Sequence, residues 1–169
     1  MVIVDAHCHA SLDWYEPIET LLFEMDRNGV DHGEAPLALW RAAARLGLAI
    51  SRGGLSRPDD NEQRSRVFEL ARFPSVFIKV TGLGEFATRA MPVRAPFPFE
   101  EPVPDYLEQA YETFGPSRMM WGSDFPPVAA REGYGRALKG CQEQLAAKPV
   151  AAQELIFGGT ARSVFPIRG

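Results

Sequence analysis

Val2-Ile3-Val4-Asp5-Ala6-His7-Cys8-His9 opens the chain. Val2, Ile3 and Val4 are apolar and β-branched, which suits a buried strand, expected over residues 2–6. His7 to Asp13 is polar and reads as the strand's end and a following loop. Residues two apart on a strand share a face. His7 and His9 therefore present both imidazoles to one side at the strand's C-terminal end, a good start for a divalent-metal site. The plain alternative is a pair of solvated histidines in a turn. Cys8 points the other way, so its simplest role is packing.

Working outward, strands alternate with helices. Ile18, Leu21, Leu22 and Met25 recur at helical spacing after Pro17, and Asn28-Gly29 stops that helix. A second amphipathic helix is expected over Leu37 to Leu46, then a short strand at Leu48-Ala49-Ile50, a loop from Ser51 to Asp60, and a helix from Asn61 to Arg72. Val76-Phe77-Ile78-Lys79-Val80 is the clearest internal strand. Ala90 to Pro104 is proline-rich and reads as a long surface loop. Asp105 to Phe114 is a helix, broken by Gly115-Pro116. Met119-Met120-Trp121 is a short strand, and Arg131 to Ala147 and Pro149 to Phe157 are helical in pattern. Thr160 is placed to cap a final turn through Val164. Such alternation implies βα units, a parallel sheet and an α/β fold. Four strands, at residues 2–6, 48–51, 76–80 and 118–122, are expected side by side.

With 169 residues the chain is sized for one domain, taken as 1–169. Hydrophobic residues at 46% and charged residues at 24% argue against disorder. Net charge is −4, so there is no basic field for nucleic acid and no basic run for a membrane surface. The two cysteines, Cys8 and Cys141, form neither a CxxC pair nor a disulfide framework, which suggests a reducing compartment. The N-terminus lacks a cationic leader, and its apolar stretch is too short for a signal peptide or a span. A cytoplasmic location is expected.

The second constellation is Met119-Met120-Trp121-Gly122-Ser123-Asp124. Asp124 stands where a strand ends, the edge at which parallel α/β folds bind ligands. A carboxylate there can hold a metal, accept a proton from water, or both. The alternative is an aspartate capping the next loop.

Asp5-Ala6-His7-Cys8-His9 near the start, with Trp121-Gly122-Ser123-Asp124-Phe125-Pro126-Pro127 near the end, resembles the amidohydrolase superfamily. The likeness is to the amidohydrolase-related group that contains lactonases and metal-dependent decarboxylases. Ile78-Lys79-Val80-Thr81-Gly82-Leu83 resembles that group's seventh strand, and Phe157 to Phe165 its closing helix. The resemblance implies a (β/α)8, TIM-type barrel. It implies His7 and His9 as first-strand metal ligands, Asp124 as last-strand ligand and catalytic base, and Asp5 as a supporting or structural residue. It implies a divalent ion, with zinc the default and manganese compatible, and a small-molecule substrate: a lactone, amide or carboxylate. Hydrolysis by activated water is the first reading, and decarboxylation the alternative.

The chain departs from that pattern in length. Such barrels usually need about 250 residues. Strands two, three, four and six are expected to be missing, giving a shortened barrel whose open edges invite self-association. A non-catalytic, self-associating derivative is thus the reading from another class. His32 falls at the start of strand two but follows no apolar run, so it reads as a surface residue. Trp14 and Tyr15 could line a pocket or merely pack; Lys79 reads as an outward charge; Glu85 and Arg89 read as solvated loop residues. Gly82-x-Gly84 is no phosphate loop, and neither Ser51 nor Ser123 stands in a nucleophile elbow.

Overall fold

The computed structural model describes residues 1–8, 18–33, 67–81, 90–92, 99–100 and 105–165. The helix over 37–46, the strand over 48–51, the loop over 51–60, and Trp14, Tyr15, Gly82, Gly84, Glu85 and Arg89 lie outside them. So does His9.

Strand β1 (Val4–Asp5) is shorter than the apolar run that announces it. Helix α1 (Ile18–Arg27) follows. Leu21 and Met25, one turn apart, are buried, whereas Ile18 and Leu22 are exposed, so its buried stripe is narrower than the apolar one. The helix ends in a paired turn. Val30 N–H donates to the Met25 carbonyl and Gly29 N–H to that of Asp26. Gly29 sits at φ 66, the left-handed conformation this ending requires.

The chain then enters β2 (His32–Gly33), a strand that the sequence reading did not expect. Val4 pairs with His32 and Asp5 with Gly33, in parallel. Strand two is therefore present in short form, with His32 half-buried in it. The cause is backbone pairing. The Ile3 carbonyl accepts from the Asp31 and His32 amides, and the Asp31 carboxylate accepts from the Ile3 amide. No apolar run of its own is needed.

The described end of the 61–72 helix tightens into a 3-10 turn, Glu69–Arg72. Strand β3 (Ile78–Val80) pairs in parallel with β4 (Met119–Trp121), in the register Ile78 to Met119 and Val80 to Trp121. Between them runs α2 (Tyr106–Phe114), which buries Leu107, Ala110 and Phe114 and ends at Gly115, φ 72. In the 90–104 segment, Ala90 and Phe99 are buried, so the expected surface loop is pinned inward at two points.

The two strand pairs meet through β1 and β4. Ala6 N–H donates to the Trp121 carbonyl at 3.0 Å, and Cys8 bridges to Phe125 in parallel. The first strand thus neighbours the last described one, the adjacency that closing a barrel demands. Among the described residues the strands form two short parallel pairs and not a closed ring. The α/β class and the parallel strand direction are as expected.

Beyond β4 lie α3 (Pro127–Ala130), α4 (Tyr134–Gln144), α5 (Val150–Glu154), a π-helical turn (Leu155–Gly159) and α6 (Thr160–Val164). The helix expected from Arg131 starts only at Tyr134, because Gly133 at φ 88 precedes it. Thr160 does not cap a separate turn. The helical path runs through it, and its hydroxyl donates to the Pro116 carbonyl at 3.0 Å. Trp121, Tyr134, Leu138, Ile156 and Phe157 belong to the main core, whereas Val4, Ala6 and Met120 pack with Ala161 and Phe165. Lys79 extends its ammonium over the Phe165 ring, 5.4 Å from the centroid, as an outward, apolar-packed lysine does. Cys8 is buried, as expected of a packing residue.

Candidate metal centre

The site is assembled at the C-terminal ends of β1 and β4. Gly122 lets the two segments touch. A Cβ on it would lie 2.3 Å from the His7 Cβ and 2.7 Å from the His7 nitrogen, so no larger residue fits without moving β1. The Asp124 amide then donates to the His7 carbonyl at 2.7 Å.

Asp124 sits at φ 58, in the left-handed region, among the residue types that tolerate it best. Ser123 stabilises this turn: its hydroxyl accepts from the Phe125 amide at 3.0 Å. The Asp124 carbonyl accepts from Val128 N–H at 3.1 Å, so the backbone serves the next turn while the carboxylate turns elsewhere. Asp124 Oδ1 stands 3.4 Å from His7 Nε2, and Oδ2 accepts from Arg131 Nη2 at 3.0 Å. The Asp124 carboxylate is 12% exposed and the His7 imidazole 30%, a partly sheltered pair.

Asp5 supports the site from beneath. Its Oδ1 accepts from the amides of Ser123 (2.9 Å) and His7 (3.1 Å), and its Oδ2 from the Tyr134 hydroxyl (2.7 Å). One buried carboxylate thereby ties the His7 segment, the Ser123 turn and α4 together. Burial pushes the Asp5 carboxyl above its ordinary range, and the Ser123, Tyr134 and His7 donors oppose that push. Burial, then the neighbouring Asp5 charge, pushes the Tyr134 hydroxyl upward. This is the structural role expected of Asp5.

Of the expected ligands, His7 and Asp124 are brought together, and His9 lies outside the described residues. Among the described residues no group of three His, Cys, Asp or Glu side chains gathers as a metal cluster. The two donors nevertheless fit a shared ion. Two ligands about 2.0–2.1 Å from a tetrahedral zinc stand roughly 3.4 Å apart, and His7 Nε2 and Asp124 Oδ1 are separated by 3.4 Å. A neutral imidazole and a carboxylate suit zinc or manganese.

Sequence reasoning missed Arg131, Tyr134 and Ser123 as members of this assembly. Asp124 and Arg131 are seven residues apart, a spacing without meaning until the short α3 and the turn after it fold the chain back.

A family model described as amidohydrolase matches residues 45–167. Two crystal structures of an amidohydrolase from Burkholderia multivorans, one with bound HEPES and one with bound zinc, share this fold with a TM-score of 0.54 each. Both are 20% identical to this chain, covering 96% and 97% of it, and this chain spans 65% of their length. No curated protein sequence matches. The family match extends over most of the chain and takes in Asp124 and the turn that carries it, and the chain belongs to the amidohydrolase family.

Proposed function

We propose that the chain is a metal-dependent hydrolase acting on a small lactone, amide or carboxylate-bearing substrate. The observation that carries this reading is the 3.4 Å approach of His7 Nε2 to Asp124 Oδ1, at the strand ends where parallel α/β folds bind ligands. His7, His9 and Asp124 are the residues that would hold a divalent ion, with zinc first. When bound, such an ion polarises a carbonyl and makes water a nucleophile near neutral pH. Asp124 is the base. Its Oδ1 faces His7 and would hold the ion, and Oδ2, which accepts from Arg131, keeps a second lone pair that can take a proton from water. The Asp5 hydrogen bonds keep the His7 and Ser123 backbones in place while this happens.

Decarboxylation of a carboxylate substrate is a second outcome at the same residues, with Asp124 handling the proton in either case. Self-association through open strand edges is the remaining reading, since the chain spans 65% of the length of the solved amidohydrolases.

Elemental analysis of the purified chain, joined to a panel of lactones, amides and aromatic acids, tests the proposal. About one divalent ion per chain, lost in His7→Ala/His9→Ala, together with turnover of one substrate class, is the expected result. A chain that binds no zinc or manganese when titrated with either overturns it.

A further inference from the structure

Arg131 lies just past α3, where its amide donates to the Val128 carbonyl at 3.1 Å. Its side chain lies between two carboxylates. Nη2 donates to Asp124 Oδ2 at 3.0 Å, and Nε stands 3.6 Å from Oε2 of Glu132, whose side chain is fully buried. A carboxylate free to turn can offer a cation either or both of its oxygens. One whose second oxygen is held by a planar guanidinium offers only the first. The guanidinium holds still only if something holds it, and the buried Glu132 carboxylate is placed to do that. Asp124, Arg131 and Glu132 therefore form a row of alternating charges that reaches Asp124 through Oδ2 and leaves Oδ1 facing His7.

We propose that Arg131, backed by Glu132, is a positioning residue that restricts Asp124 to one-oxygen coordination through Oδ1. It acts on the ion only through Asp124. This inference rests on the metal-binding reading above and adds to it a statement about coordination number. Partners of this kind commonly change metal affinity by about 10–100-fold when removed.

The test uses the full chain, wild type beside Arg131→Gln and Arg131→Lys. Each is titrated with cobalt(II) for its visible absorption bands and with zinc(II) against a chromophoric chelator, and melting is recorded alongside. In Arg131→Gln the cobalt bands should weaken as Asp124 adds its second oxygen, and zinc affinity should rise about 10–100-fold, because a donor oxygen is freed and a positive charge beside the ion is removed. Arg131→Lys restores charge without the planar fork, so its zinc affinity should return toward the parent's while its cobalt bands stay altered. A purely structural arginine would lower melting and leave the cobalt bands of the folded protein unchanged. Unchanged bands in both variants overturn the proposal and leave the metal reading standing. If Arg131→Gln does not fold, unchanged bands in Arg131→Lys do the same. A wild-type chain that takes up no cobalt or zinc overturns the metal reading and this inference with it.

Discussion

The Asp124 amide donates to the His7 carbonyl at 2.7 Å, so the main chain itself registers the two side chains of the candidate metal centre. The 3.4 Å between His7 Nε2 and Asp124 Oδ1 follows from that bond and from the left-handed turn at Asp124. The geometry does not wait on the side chains finding each other.

Asp124→Asn should separate chemistry from folding. Asparagine tolerates φ 58 as well as aspartate does. Its amide can still accept from Arg131, though without the charge, which should cost about 1–2 kcal/mol. It cannot serve as a base, and turnover should fall about 10²–10⁴-fold. Urea denaturation and steady-state kinetics check the two halves, and a variant that retains most of the parent's turnover overturns the role of Asp124.

Gly122→Ala should do the reverse. The new methyl would meet His7 Cβ at 2.3 Å and Cα at 2.9 Å, and backbone cannot swing aside as a side-chain tip can. Overpacking of this kind costs about 1–3 kcal/mol or more. Because the shift lands on His7, zinc stoichiometry should fall together with the melting temperature. Alanine with unaltered melting would show that β1 and the Gly122 turn are looser than described.

Tyr134→Phe removes the donor to Asp5 Oδ2 and leaves the ring in place against Trp121 and Phe125. A buried carboxyl oxygen then loses its partner, at a cost of about 1–3 kcal/mol for an acceptor left unsatisfied. Chemical denaturation measures the loss, and it should shrink in Asp5→Asn/Tyr134→Phe measured against Asp5→Asn alone.

Cys141 predicts an alkaline weakness. Burial first, and the Glu132 charge second, push its thiol from 9.0 up to about 12 in the folded chain. The folded state therefore holds the proton more tightly than the unfolded state. The stabilisation is fully present below pH 9 and is lost as pH rises from 9.0 through about 12. Stability measured across that range should fall less steeply in Cys141→Ala than in the parent. The native thiol should also resist alkylation at pH 8 and react once the chain is unfolded.

Much of this arrangement was readable from local pattern. Helix α1 and its stop at Gly29 follow from spacing and from one glycine. β4 follows from Met119-Met120-Trp121, bounded by Pro116 before it and Gly122 after it. His7 and Asp124 were readable as a pair only through the likeness of their two motifs to the amidohydrolase family, because a lone aspartate after a strand reads equally as a loop cap. β2 was not readable, because His32-Gly33 has no apolar signature and exists only where the Ile3 carbonyl offers a partner. The π-helical turn at Leu155–Gly159 was equally hidden, since Gly158-Gly159 reads as a helix end and the helical path instead continues through it.

The sequence by itself determined the α/β class and the strands and helices that carry an apolar period, such as α1, β3 and β4. Those depend on neighbours within a few positions, where periodicity and turn chemistry act. Only the tertiary structure decided that Asp5 is the buried hub beneath His7 and Ser123, that Gly122 is the contact point of β1 and the Asp124 turn, and that Arg131 holds Oδ2 of Asp124. Each of these joins groups from separate segments or across a turn. A buried carboxylate takes whichever donors the packed chain brings to it, and no local rule names them in advance.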